Sequence, residues 1–105
     1  MRDASRFSVY VRMTAQPGQR DALIERLREL LRAGAMSGLE SFSINAVLDD
    51  PDTIWITQAW ADKLAHDTAT HSDPVVSATQ RVVSLLAEPP VTSYGQVAYR
   101  HDGRP

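Results

Sequence analysis

The sequence contains no cysteine, and this absence excludes disulfides, thiolate metal sites and thiol catalysis. Long apolar runs are also lacking, since none approaches the ~20 residues that a membrane-spanning helix needs. The charged start, Met1-Arg2-Asp3, does not resemble a secretory signal peptide. We therefore expect a cytoplasmic protein with no membrane partner.

An excess of charge of one sign is lacking as well, because 11 basic and 13 acidic residues leave a net charge of -2. A strongly basic surface is typical of nucleic-acid binding, so we expect no nucleic-acid partner. The composition that remains is that of an ordinary globular protein, with 43% apolar and 23% charged residues. A chain of 105 residues has room for one core. We expect a single domain over residues 1–105, ordered over about 6–100 and frayed at both ends.

Four segments alternate between apolar and polar residues, as half-buried strands do. They cover residues 7–14, about 39–48, 54–60 and 91–99. Between the second and third lies Asp49-Asp50-Pro51-Asp52, whose residue types favour a tight turn, so these strands should form a hairpin.

Three segments have the spacing of amphipathic helices. The first should begin near Gln19 or Arg20 and stop at Gly34. The second should follow Asp62, whose side chain is a good N-cap. The third should follow Ser72-Asp73-Pro74 and end at Pro89-Pro90. Its predicted buried stripe comprises Val75, Ala78, Thr79, Val82, Leu85 and Leu86.

The resulting order, β-α-β-β-α-α-β, predicts an α+β, ferredoxin-like fold: a four-stranded antiparallel sheet with the helices on one face. The face under the helices should be wholly apolar, comprising Phe7, Val9, Val11, Met13, Phe42, Ile44, Ala46, Leu48, Ile54, Ile56 and Trp60. The opposite face mixes aromatic and polar residues, namely Tyr10, Arg12, Asn45, Val47, Trp55, Thr57, Tyr94 and Gln96. Such a mixture suits a second sheet packed against it, which a small domain obtains by pairing with its own copy. We expect a homodimer in which the surfaces of Tyr10, Arg12, Trp55 and Tyr94 meet.

The most informative stretch is the junction between the third strand and the second helix. Trp60 ends the strand and His66 lies one turn inside the helix, so a large aromatic and a titratable group should be close together. The competing interpretations are a core tryptophan and a surface histidine. His66, Asp67 and His71 are the nearest approach to a metal site. A spacing of five does not place two histidines on one helix face, so we expect no bound metal.

This chain resembles the antibiotic biosynthesis monooxygenases of the dimeric α/β-barrel superfamily. The likeness covers nearly the whole chain, including the Pro17-Gly18 turn after the first strand and the arginine- and leucine-rich first helix. A glycine-containing turn then leads into Leu39-Glu40-Ser41-Phe42. The most specific part is the segment with Trp60 and Ala65-His66-Asp67, which is similar to the family's Trp and Ala-His-Asp after the third strand.

The resemblance implies a monooxygenase that oxidises an aromatic or quinol-like small molecule, with a ligand cavity between the sheet and the helices. In that cavity Trp60 would shape the pocket, His66 would act as base and Gln58 would orient a substrate oxygen. Related oxygenases often carry asparagine on the first strand facing the cavity, where this chain has Val9, Val11 or Met13; Gln58 stands where relatives often carry glutamate. No residue set commits to heme or flavin, so we expect no cofactor. The alternative is a non-catalytic dimeric barrel that binds a small apolar ligand or acts as an interaction module.

Overall fold

The seven predicted elements are all present, in the predicted order. The structure is a computed structural model that describes residues 6–33, 36–101 and 103. The strands are β1 (Phe7–Thr14), β2 (Leu39–Ala46), β3 (Thr53–Trp60) and β4 (Val91–Gln96). The helices are α1 (Arg20–Ala33), α2 (Lys63–Thr70) and α3 (Asp73–Val83). The predicted helix stop at Gly34 and most of the predicted frayed ends lie outside the described residues.

The strands form one antiparallel sheet in the order β2-β3-β1-β4, which confirms the ferredoxin-like fold. The predicted hairpin between β2 and β3 is also confirmed, with a bulge between Leu39 and Ser41. Apolar residues of β1 and β3 meet the helices in a single core, because side chains two apart on a strand share one face. Its best-buried members are Leu23, Leu27, Ile54, Ile56, Trp60 and Val82.

Three predicted element ends are wrong, one of them that of β4, which was expected to reach residue 99 and stops at Gln96. Leu48 was expected at the end of β2 on the apolar face, but the strand stops at Ala46 and Leu48 is fully exposed in the turn. Helix α3 ends at Val83, so Leu85 and Leu86 do not continue its stripe. They turn back along the end of β1, where the Gln16 amide donates to the Leu85 carbonyl over 2.9 Å. Both leucines still pack against the core. Their apolar side chains therefore fitted the helical spacing of the sequence although the helix had already ended.

The predicted side of β4 is also wrong. Tyr94 and Gln96 were expected on the face away from the helices, but Tyr94 pairs with Val9 and Gln96 pairs with Phe7. Directly paired residues share a face of the sheet, and Phe7 and Val9 face the core. Tyr94 and Gln96 therefore lie on the helix side. The surface that we call the outer face comprises Tyr10, Arg12, Asn45, Trp55 and Thr57.

The outer face carries a pair of aromatic rings that none of the described helices covers. Tyr10 and Trp55 contact one another with ring centroids 5.8 Å apart, and Tyr10 is 40% exposed. The hydroxyls of Ser43 and Thr57 are 2.7 Å apart beside them. Among the described residues, no helix has the length and apolar character to cross a membrane.

Candidate active site

The β3–α2 junction holds the candidate site, and local contacts fix how α2 leaves the sheet. As predicted, Asp62 caps α2, its carboxylate accepting a hydrogen bond from the Ala65 amide over 2.8 Å. The Ala61 amide donates to the Gly38 carbonyl over 2.7 Å. Gly38 has φ +92°, and a Cβ on it would lie 2.6 Å from the Ala65 Cβ. The start of β2 therefore lies against α2 at a position that suits glycine alone, and this contact places His66 next to the sheet.

Three aromatic rings surround the His66 imidazole. Its ring centroid lies 5.0 Å from that of Phe7, 5.3 Å from that of Trp60 and 5.9 Å from that of Tyr94. The contact with Trp60 is edge-on, at an interplanar angle of 87°. The His66 side chain is only 12% exposed. The interpretation of His66 as a surface histidine is therefore wrong, and the predicted proximity of Trp60 and His66 is confirmed.

A direct hydrogen bond connects Gln58 to Trp60. The indole Nε1–H donates to Gln58 Oε1 over 2.8 Å. An indole nitrogen only donates, so the bond identifies the amide oxygen and leaves the NH₂ group as donor. That NH₂ has no hydrogen-bond partner within the described part of the chain. Gln58 therefore keeps a donor for an oxygen of a bound molecule.

These side chains line a cavity of about 280 Å³ between the sheet and the helices. Gln58, Trp60 and His66 all contribute to its wall, so the structure brings the three predicted site residues together. The first-strand positions Val9, Val11 and Met13 line it too, as the resemblance implied. The rest of the wall is mostly apolar, from α1, β2 and α3 among others, and includes Leu30, Leu31, Met36, Leu39, Phe42 and Val75. Such an apolar wall with few polar groups is typical of a small-molecule site.

Behind His66 lies an ion pair on α2. His66 Nδ1 is 2.9 Å from Asp67 Oδ1, and Lys63 Nζ is 2.6 Å from Asp67 Oδ2. Hydrogen bonds from Lys63 first, and then from His66, hold the pKa of the Asp67 carboxyl below its ordinary value. His71 Nδ1 instead lies 2.6 Å from the backbone oxygen of Asp67. The two histidines thus use different atoms of Asp67, and over residues 6–33, 36–101 and 103 no group of three potential ligands could hold a metal ion.

The sequence did not indicate three polar residues of the cavity, Thr70, Thr92 and Tyr94. Tyr94 stacks on Phe7 with centroids 5.6 Å apart and reaches His66 from the edge of the sheet. Alternation shows which residues of a strand share a face, but not which face meets the core when every residue of the strand is exposed, as in β4. No signal in the sequence could have identified this tyrosine without the register of β4.

Comparison with known proteins gives a consistent result. The profile of the antibiotic biosynthesis monooxygenase family matches residues 6–81. The structure of a candidate antibiotic biosynthesis monooxygenase from Chloroflexus aurantiacus is similar, at 32% identity, with 93% of this chain and 98% of that chain covered and a TM-score of 0.81.

Two more distant structures share the fold. A candidate antibiotic biosynthesis monooxygenase from Nitrosomonas europaea is 17% identical, with 91% of this chain and 93% of that chain covered and a TM-score of 0.77. One from Caulobacter crescentus is 13% identical, with coverage of 91% and 92% and a TM-score of 0.82. No curated protein matches this chain.

Proposed function

This chain belongs to the antibiotic biosynthesis monooxygenase family, and we propose that it oxidises an aromatic or quinol-like small molecule with O₂, without a metal or tightly bound cofactor. The observation that supports this most is the convergence of a donor, an aromatic ring and an imidazole, from Gln58, Trp60 and His66, on one apolar cavity. In oxygenation without a cofactor the substrate itself supplies the electrons. The protein then needs a base, a donor to the oxygen that becomes negatively charged and a cavity shaped for the substrate, which His66, Gln58 and Trp60 would provide.

The proposed reaction begins with proton removal from an activated carbon of an anthrone-like substrate. His66 takes this proton, and the resulting carbanion gives its electrons to O₂, forming a carbon–oxygen bond and a peroxide. Protonated His66 returns its proton to the peroxide anion, giving a hydroperoxide. Neutral His66 then removes the second proton from that carbon, and the O–O bond breaks with release of hydroxide. The products are a ketone and water, so a CH₂ group and O₂ become C=O and H₂O. Protonated His66 supplies the proton that converts the departing hydroxide to water.

Gln58 stabilises negative charge on the substrate, and Trp60 selects its shape. The free NH₂ of Gln58 donates to the oxygen on which negative charge develops when the proton is removed. Trp60 holds Gln58 in place through its indole N–H and limits the cavity to flat molecules. The apolar wall excludes water, which strengthens the Gln58 hydrogen bond and protects the carbanion from reprotonation.

A second candidate function is binding without catalysis. It is favoured by the three first-strand positions on the cavity, Val9, Val11 and Met13, which supply no amide where related oxygenases often have one. In that case the cavity holds an apolar ligand, and His66 is a packing residue. The two functions differ in one measurable respect: only the enzyme consumes O₂ when the ligand is added.

We also propose that the active form is a homodimer joined through the outer face. The support is the Tyr10–Trp55 pair, a large aromatic surface on a sheet face that no helix of the described part of the chain covers. Apolar surface of this kind is favourable to bury against a second copy.

The experiment is to add a panel of anthrones and hydroquinones to the purified protein and measure O₂ uptake against a protein-free control. His66→Ala should lower the turnover of any accepted substrate ~10²–10⁴-fold, the usual contribution of a general base.

His101→Ala is the matched control, since His101 is exposed and outside the cavity. Its turnover should equal that of the wild type. Full activity of a folded His66→Ala variant on every accepted substrate would contradict the role of His66. Tight binding of panel compounds with no O₂ uptake would favour the binding function instead.

A further inference from the structure

Asp67 engages two partners at once, one with each carboxylate oxygen. Oδ1 lies 2.9 Å from His66 Nδ1 and Oδ2 lies 2.6 Å from Lys63 Nζ. Lys63 is one turn earlier on α2, and the Asp67 side chain is 36% exposed against 12% for His66. The carboxylate therefore contacts the imidazole from the side away from the cavity, whose wall Asp67 does not join.

The chemistry of these groups fixes the direction of both hydrogen bonds. An ionised carboxylate only accepts, and an ammonium group only donates. His66 Nδ1 must therefore carry the hydrogen that it shares with Asp67, in the neutral ring as well as in the protonated one. We propose that Asp67 is a positioning residue that keeps the proton of neutral His66 on Nδ1 and leaves Nε2 unprotonated towards the cavity.

The surroundings of Nε2 agree with an unprotonated nitrogen. Nε2 has no hydrogen-bond partner in the described residues. Every fully buried side-chain N or O atom in that part of the chain does have a hydrogen-bond partner. Nε2 is therefore not sealed inside the protein. Of its three ring neighbours, Phe7 and Trp60 offer no oxygen that would accept a hydrogen from it, and the Tyr94 hydroxyl makes no hydrogen bond to it within the described residues.

The catalytic consequence rests on the proposed function. A neutral histidine with its hydrogen on Nε2 cannot take a proton from a molecule in the cavity, whereas one with its hydrogen on Nδ1 can. Asp67 would thus keep the neutral ring in the form that a general base requires, and Lys63 would hold the carboxylate in place.

The direct test is the ¹⁵N NMR spectrum of the imidazole rings at a pH at which they are neutral, because a protonated and an unprotonated ring nitrogen differ widely in chemical shift. The chain has three histidines, so His71→Gln and His101→Gln complete the assignment. We expect His66 to carry its hydrogen on Nδ1 in the wild-type protein without any substrate. A hydrogen on Nε2 would overturn the proposal, whether or not any variant folds.

Asp67→Asn should move that hydrogen to Nε2. Lys63 only donates, so it should retain the amide oxygen and turn the NH₂ group towards His66, whose Nδ1 must then accept. His71 provides an internal control, because its Nδ1 contacts the backbone oxygen of residue 67, which the substitution keeps. Lys63→Met is the matched variant, since it breaks the ion pair and retains the carboxylate, and its His66 should keep the hydrogen on Nδ1.

Two results would overturn the role of Asp67. In the first, the His66 hydrogen stays on Nδ1 in folded Asp67→Asn. In the second, it moves to Nε2 in Lys63→Met to the same extent as in Asp67→Asn. In turnover, Asp67→Asn should lower kcat ~10²–10⁴-fold, the contribution of the base that it disables, and change KM little. If the NMR result is as expected and the wild type oxidises no substrate, the proposed function fails while the assignment of Asp67 stands.

Discussion

Trp60 belongs to the core and to the candidate site at the same time. Its side chain is 2% exposed, its N–H holds Gln58, and its ring meets the edge of His66. A residue with this many contacts couples the shape of the cavity to the stability of the fold.

Trp60→Ala should therefore lower the free energy of unfolding by ~3–5 kcal/mol, since it leaves a large cavity in the core. Binding of any accepted ligand should weaken as well, because Gln58 loses the donor that orients it. Urea unfolding and ligand titration measure the two effects. Trp60→Phe keeps most of the apolar ring and should lose less stability than the alanine variant. An alanine variant that unfolds at the wild-type urea concentration would contradict this assignment.

At the scale of single residues, much of the site could be predicted, and the reason is local. Gln58 and Trp60 are two apart on one strand, and Asp62 begins the helix that carries His66, so the chain itself brings them together. Tyr94 completes the ring cluster from a strand distant in sequence. Its position depends on how β4 registers with β1, which local alternation does not encode.

Among the elements, the β2–β3 turn shows how side chains replace regular backbone pairing. Arg20, from the start of α1, donates to the carbonyls of Val47 and Asp50 over 3.0 and 2.9 Å. Within the turn, the Asp50 carboxylate accepts from the Thr53 hydroxyl over 2.7 Å and from the Asp52 amide over 3.1 Å. These contacts fix the turn that aligns β3.

The same hydrogen bonds, that from Thr53 foremost, hold the pKa of Asp50 below its ordinary value, with smaller contributions from Arg12 and Arg20. A carboxyl with a lower pKa in the folded state than in the unfolded state stabilises the fold above the unfolded value, about 3.9. That stability is lost as the pH falls through the folded pKa. Asp50→Asn should thus destabilise at pH 7, and the difference from the wild type should shrink below about pH 4.

Urea unfolding at several pH values between 2 and 7 measures this difference. Asp49→Asn is the control, because Asp49 is exposed in the same turn, and its difference from the wild type should be small throughout. A gap between Asp50→Asn and the wild type that stays constant down to pH 2 would show that Asp50 acts without ionising.

Element ends were harder to predict than elements, and the errors at the ends of β2 and α3 have one cause. Leu48, Leu85 and Leu86 continue an apolar pattern beyond the point where backbone pairing changes. The chain turns after Ala46, while Leu85 pairs with the segment that follows β1. Such pairing is tertiary, and a local pattern cannot foresee it.

For the whole molecule, the ferredoxin-like fold followed from the sequence because each connection admits few right-handed, unknotted alternatives. The assembly is a further step. We expect a homodimer in solution, joined through the outer face, and light scattering during gel filtration at micromolar concentration measures its mass. Tyr10→Glu with Trp55→Glu should give monomers, because two buried charges would face their own copies across the interface.

Val76→Glu is the control, since Val76 is 41% exposed on α3 and away from the outer face. It should remain dimeric. A wild-type protein that elutes as a monomer would rule out this assembly, and it would leave the outer face without an explanation.

The two tryptophans lie five residues apart on β3, so they point to opposite sides of the sheet. Trp60 faces the cavity and Trp55 faces the surface where we expect the second copy. The chain therefore carries a separate optical reporter on each side. In Trp55→Phe, the remaining emission comes from the indole beside His66 and should respond to ligands alone; in Trp60→Phe, it should respond to dilution alone. Intrinsic fluorescence can thus distinguish filling of the cavity from assembly of subunits in a single cuvette, without any added dye.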